Sequence, residues 1–212
     1  MQLSLNKKFL DKIRCLAACV LVTVSLGTNA AVITVLTDAS WLATNAAPAA
    51  TWNTDPAFNT STWINANVVI PSCQAGSDCI WYDGQFSATA NAWFRKTFSL
   101  TGTVSSAILA GGVDDDADIF INGVQVLNDH NGLAGNFGPL DVTSLLVSGV
   151  NLIAAHAIDN VPVFGQNHAF ASQLTVNTIS NAVPLPGVLS LLLIGLSGLV
   201  VVQRSRRQRS VT

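Results

Sequence analysis

The chain has 212 residues, half of them hydrophobic and 10% charged, with ten Lys and Arg against twelve Asp and Glu. That balance joins unlike parts: four cations precede residue 15, four follow residue 203, and residues 31–182 hold only Arg95 and Lys96 against eleven Asp and no Glu, a formal charge of −9. So acidic a segment repels a phosphate backbone and excludes nucleic acid as a partner, while its low charge density and apolar content argue against a disordered stalk.

At the start of the chain Lys7, Lys8, Lys12 and Arg14 form a basic region, residues 15–26 an apolar one, and Thr28-Asn29-Ala30 a small-residue cleavage site. This pattern predicts a signal peptide over residues 1–30, read by the secretion machinery and cut after Ala30. A lipobox, Leu16-Ala17-Ala18-Cys19, and an uncleaved anchor are the competing readings. Residues 31–182 are the length of one domain. Once Cys15 and Cys19 are removed, only Cys73 and Cys79 remain, with five residues between them. In an exported chain that spacing predicts a local disulfide. A metal pair is the alternative, without a His or third Cys nearby.

The domain reads as short strands. Residues 32–37 open with β-branched side chains, and an Ala-, Asn-, Thr- and Pro-rich stretch carrying Trp41, Trp52 and Trp63 follows. Strands are expected at 68–70, 80–82, 92–100, 106–109, 119–121, 124–126, 151–158 and 170–176. Along 92–100, Trp93, Arg95 and Thr97 fall on one face and Phe94, Lys96 and Phe98 on the other. Asn122-Gly123 between two apolar runs predicts a tight hairpin. Residues 141–146 suggest one helical turn, and no stretch of the domain sustains a helical period. The expected fold is all-β, an antiparallel β-sandwich or jelly roll.

Groups that do chemistry are scarce. His130, His156 and His168 are scattered, there is no Gly-x-Ser-x-Gly elbow or phosphate loop, and without Glu a glycosidase needs two Asp flanking the bond. The domain is therefore read as non-catalytic and as needing no cofactor. In the run Asp114-Asp115-Asp116-Ala117-Asp118, Asp114, Asp116 and Asp118 have the first spacings of a calcium loop. Ile119 at the sixth position and Gln125 at the twelfth exclude an EF-hand. Two readings stay open: a structural calcium ion on those three carboxylates, or a solvated strand entry bonding local backbone. Of the tryptophans, Trp81, beside Cys79 and Asp83-Gly84, is expected at the surface, where it and Asp83 are the candidate ligand-binding residues.

Phe94-Arg95-Lys96-Thr97-Phe98, Val113-Asp114-Asp115, Ile121-Asn122-Gly123, Asp141-Val142-Thr143 and Gly149-Val150-Asn151-Leu152 occur in that order. Over residues 93–160 this resembles the galactose-binding-like jelly roll of glycoside hydrolase accessory domains. The resemblance implies a β-sandwich of carbohydrate-binding type, without a sugar specificity.

Past the domain, Val183-Pro184-Leu185-Pro186 leads into an apolar run, 187–202, and then Arg204, Arg206, Arg207 and Arg209. The run reaches the roughly 20 residues a helix needs to cross a bilayer, and the arginines are expected to stay cytoplasmic. The three parts in this order resemble a PEP-CTERM sorting signal over residues 183–212, with Leu185 where the family has Glu. The resemblance implies export, retention in the inner membrane, cleavage near the prolines by an exosortase-like enzyme, and association with extracellular polysaccharide in the envelope or matrix. A structural envelope protein that binds no glycan, and a hydrolase, are the alternatives.

Overall fold

Short runs of β-branched and aromatic residues, alternating in polarity and separated by Gly, Asn and Asp, favour strand pairing over helix. The protein is described by a computed structural model covering residues 29–74, 76–84, 89–161 and 168–180. Among them are twelve strands: β1 (Asn29–Leu36), β2 (Leu42–Thr44), β3 (Ile64–Asn65), β4 (Asn67–Gln74), β5 (Ser77–Trp81), β6 (Asn91–Leu100), β7 (Thr103–Asp114), β8 (Asp116–Ile121), β9 (Val124–Asp129), β10 (Gly135–Asp141), β11 (Gly149–Ile158) and β12 (Ala169–Ser180). A 3-10 turn, Thr143–Leu145, falls in the expected helical stretch. The strands form two antiparallel six-stranded sheets, β10-β7-β12-β5-β4 with β1 also on β12, and β3-β2-β6-β11-β8-β9. The all-β expectation holds.

The signal peptide up to residue 28, the Val183-Pro184-Leu185-Pro186 motif, the apolar run and the terminal arginines lie outside the described residues. No helix among the described residues is long and apolar enough to cross a membrane. Ala30, the expected last residue before cleavage, is the second residue of β1 and pairs with Ile179.

Three strands go beyond the sequence expectation. β2 and β3 are only three and two residues long, too short to imprint a period. β10 holds Gly135, Gly138 and Pro139 and buries only Phe137. It lies at a sheet edge, where a proline removes no needed donor, and its register shifts between Phe137 and Leu140. The Asn122-Gly123 hairpin forms as expected, with φ of 49° and 84°. That pair of left-handed conformations is what a primed turn requires.

Both sheets give one face to a shared core. Phe94 of β6 stacks on Phe170 of β12 at 5.4 Å between ring centroids, and Trp81 and Trp41 meet these rings edge-on at 6.0 and 6.2 Å. Ile119, Ile121, Ile153, Ala155, Leu109 and Leu174 fill the space around them. Two of the pieces that carried the jelly-roll resemblance, at Asn122 and at Asn151-Leu152, meet one another. Asn122 Nδ2 donates to Leu145 O and Asn151 Oδ1, at 2.8 and 2.9 Å, and Asn122 Oδ1 accepts from Leu152 N at 2.8 Å. Asn151, fully buried, donates in turn to Val147 O and Gly149 O. Thr143 Oγ1 accepts from Ala107 N, tying the 3-10 turn to β7. These residues close loops onto the sandwich, where an unsatisfied amide is costly.

Along one edge of β12, β1 gives way to β5, and Thr37 makes the joint. Its N–H donates to Ser172 O at 3.0 Å, its Oγ1 donates to Asp78 O at 2.6 Å, and that same Oγ1 accepts from Ser172 N at 3.1 Å. The Cys73–Cys79 disulfide forms as expected and joins β4 to β5, with the Cα atoms 5.6 Å apart.

Candidate functional site

Trp81, expected at the surface, is fully buried. Its indole packs on Phe94 and on His168, 4.8 Å from the imidazole, and its Nε1 donates to Thr89 O at 3.2 Å. The turn signal beside it was read correctly, but the side chain points into the sandwich because β5 reaches the central edge of β12 there. Asp83 is half-buried and accepts from Thr89 Oγ1 at 2.5 Å. Neither residue offers a free sugar platform.

The three aspartates expected to share a face do not converge. Asp114 ends β7 in one sheet, whereas Asp116 and Asp118 lie on β8 in the other. Asp116 is buried and accepts from Gly132 N and Asn160 Nδ2, each at 2.7 Å. Asp118 Oδ1 is taken by Gln125 Nε2, Asn128 Nδ2 and His130 Nε2. Asp115 accepts from Asn160 N. Among the described residues no group of three or more His, Cys, Asp or Glu is arranged to hold a metal ion. Both oxygens of Asp116 and one of Asp118 are thus taken by protein groups, and the donors to Asp115 and Asp116 come from Gly132 and Asn160 rather than from local backbone. Beside them, Asp159 Oδ2 lies 3.6 Å from His168 Nδ1, both residues buried. Burial, then Asp115 and Asp159, raise the Asp114 carboxyl to about 6.

His156 sits in a row across the second sheet, between Trp93 and Asp118. Its ring is parallel to that of Trp93 at 4.3 Å, its Nε2 is 2.8 Å from Asn91 Oδ1, and burial lowers its pKa. His156 is thus a hydrogen-bonded structural histidine.

A different site lies at the open edge of β6. β2 pairs with β6 only from Leu42 to Thr44, opposite Arg95 to Trp93, so β2 leaves the rest of that edge uncovered. A cavity of about 190 Å³ opens there, lined by Ser40, Leu42, Pro56, Phe58, Thr60, Arg95, Lys96 and Thr97. Arg95 stands on the outer face of the sheet yet is only 2% exposed, because the segment between β2 and β3 folds over it. An aromatic chain seats that segment: Phe58 meets Trp63, Trp63 stacks on Trp52, and Trp52 packs edge-on against Phe120 of β8. Gly123 helps, since a Cβ there would come within 2.6 Å of Thr54 Cγ2.

The guanidinium is held but incompletely satisfied. Arg95 Nη2 donates to Asp55 O at 2.8 Å, and Cζ sits 5.2 Å over the Phe58 ring. Nη1 is buried without a hydrogen-bond partner. Burial lowers the Arg95 pKa and Asp55 opposes that shift, but an arginine stays charged. Lys96 Nζ reaches Ser40, bonding its hydroxyl and, at 3.4 Å, its carbonyl. Sequence reasoning used Arg95 and Lys96 in a charge count, a strand pattern and a resemblance, but not as site residues. The signal was in that count: the two cations left in an otherwise acidic domain are neighbours.

No family model matches the sequence, and no curated protein matches it. Solved structures with related coordinates include a glycosyl hydrolase family 2 member from Bacteroides cellulosilyticus, 19% identical, TM-score 0.46, covering 68% of this chain and 20% of that one. Bacteroides uniformis β-glucuronidase 2 is 17% identical with a TM-score of 0.46, over 69% of this chain and 18% of that chain. Amycolatopsis orientalis exo-chitosanase CsxA is 18% identical with a TM-score of 0.41, over 68% and 20%. The chain thus spans about a fifth of the length of these proteins, and likenesses at these scores carry no argument about what it does.

Proposed function

We propose that this is an exported, non-catalytic envelope or matrix protein whose sandwich, a galactose-binding-like jelly roll, associates with extracellular polysaccharide. The observation that supports the reading is the cavity beside β6, which is lined by Phe58, Arg95, Lys96, Ser40, Thr60 and Thr97. Sugars are bound by that combination of a ring for their apolar face and polar groups that orient hydroxyls. Export is supported by the basic and apolar leader and by the disulfide, which persists in oxidising compartments. Sorting through the inner membrane by an exosortase-like enzyme is supported by Val183-Pro184-Leu185-Pro186, the apolar run and the arginine cluster.

Pull-down of the full-length protein on its host's own exopolysaccharide tests the binding. Retention on that polymer is expected, and its absence would leave a structural envelope protein that packs against other proteins. The mass of the protein isolated from its host tests the sorting: loss of residues 1–30 and of the segment after the prolines is expected, and an uncut chain would overturn it.

A further inference from the structure

We infer that the cavity beside β6 takes the carboxylate of an acidic sugar residue, a uronate, with Arg95 and Lys96 as its cationic wall. This rests on the polysaccharide reading and names the chemistry of the ligand. Residues 31–182 contain eleven Asp and only these two cations. Strand alternation sends residues 95 and 96 to opposite faces, yet both line the same cavity, because the edge of β6 is open there. Among the described residues the ion-pair contacts within 4.0 Å are His130–Asp118 and His168–Asp159, so no carboxylate neutralises either cation at that range. Asp55 acts on Arg95 only at longer range, and Lys96 is linked to an acid indirectly, bonding Ser40, which bonds Asp38.

Arg95 supplies the second, independent observation. One nitrogen is anchored on Asp55 O, so the guanidinium is fixed, while Nη1 is shielded from solvent and has no partner. Leaving a charged donor desolvated and unpaired is unfavourable, and Arg95, which lines the cavity, is the cation an entering carboxylate meets. The planar guanidinium matches a planar carboxylate, and Lys96 at the rim adds a mobile second charge. A volume of about 190 Å³ is well under a drug-sized site of roughly 300–1,000 Å³, which suits one sugar ring rather than a length of chain. In a domain of formal charge −9, a site that retains an acidic polymer needs such a local reversal of sign.

The test titrates the full-length protein, purified in mild detergent, with its host's exopolysaccharide, with the same polymer after chemical reduction of its carboxyl groups, and with dextran sulfate. Binding to the native polymer is expected to fall at least about tenfold on carboxyl reduction and to weaken as salt is raised. Lys96→Gln, at a half-buried rim position, is expected to lower affinity by a similar factor with an unchanged melting temperature. Arg95→Lys, which keeps the charge and loses the planar fork, is expected to lose most of the binding. Equal binding of native and reduced polymer overturns the inference and leaves the polysaccharide reading standing. Binding of neither overturns both. Tighter binding of dextran sulfate than of the native polymer overturns the carboxylate assignment, and full affinity in Lys96→Gln overturns the cavity.

Discussion

Two polar regions of this sandwich solve the same physical problem in opposite ways. At one end Asp115, Asp116 and Asp159 are bonded within the protein, accepting from Asn160, Gly132 and Val161 amides, with Asp159 also facing His168 at 3.6 Å. At the edge of β6, Arg95 is as deeply buried, but one guanidinium nitrogen is left without an acceptor. The acidic run looks more conspicuous in sequence, yet its carboxylates serve to tie the β7–β8 junction to the segments at Gly132 and Asn160. Incomplete satisfaction alone does not separate the two regions, since Asp159 Oδ2 also lacks a hydrogen-bond partner; what distinguishes the edge of β6 is the cavity that Arg95 lines.

The contrast can be broken most forcefully at Asp159. Asp159→Ala removes the acceptor for Val161 N and leaves buried His168 facing a void, so urea unfolding should show a loss of about 2–4 kcal/mol. A loss under about 1 kcal/mol would deny the acidic end its structural role. Arg95→Met should act the other way. Asp55 and Pro56 are exposed, so their carbonyls can turn to water, and an apolar side chain suits the covered face. Stability should hold or rise by about 1–2 kcal/mol while polysaccharide binding is lost. A large destabilisation would mean that Arg95 is a structural strut.

The Asp114 carboxyl gives a smaller effect with a defined sign. Its folded value, about 6, lies above the ordinary 3.8, so between those pH values the folded state holds more protons than the unfolded chain. This group's contribution is therefore largest below pH 3.8 and declines as pH rises to about 6. Asp114→Asn should remove that part of the slope, and screening by solvent keeps it under about 1 kcal/mol. Melting curves at pH 4 and pH 7 for both proteins read the difference, and parallel shifts would show that Asp114 is not its source. The smallest effect concerns calcium. With both oxygens of Asp116 and one of Asp118 already bonded, millimolar calcium should leave the melting temperature where chelator leaves it. A calcium-dependent rise would restore the metal reading.

Much of the fold was legible in the chain because it is local. Asn122-Gly123 announced its hairpin, alternation along residues 92–100 separated the two faces of β6 without saying which one is buried, and the Cys73 and Cys79 spacing announced the disulfide. β10 escaped because its glycines and proline erase the period, and β2 and β3 because they are too short to have one. The candidate site was far less legible. Trp81 stood beside a turn signal, yet its direction was set by pairing with β12, a strand ninety residues away in the chain. Asp114, Asp116 and Asp118 had metal-like spacing, but the chain changes sheets between the first and the second.

By itself, the sequence determined the all-β class, the acidity of the domain and the presence of just two cations within it, since composition and short-range alternation need no tertiary partner. Only the tertiary structure decided where those cations sit. Arg95 is on the outer face of its strand, where alternation alone predicts solvent. It is buried because Phe58, Trp63 and Trp52 fold the segment between β2 and β3 back over it. Burial of a charge, and the acceptor it then lacks, come from contacts distant in sequence, and no local pattern encodes them.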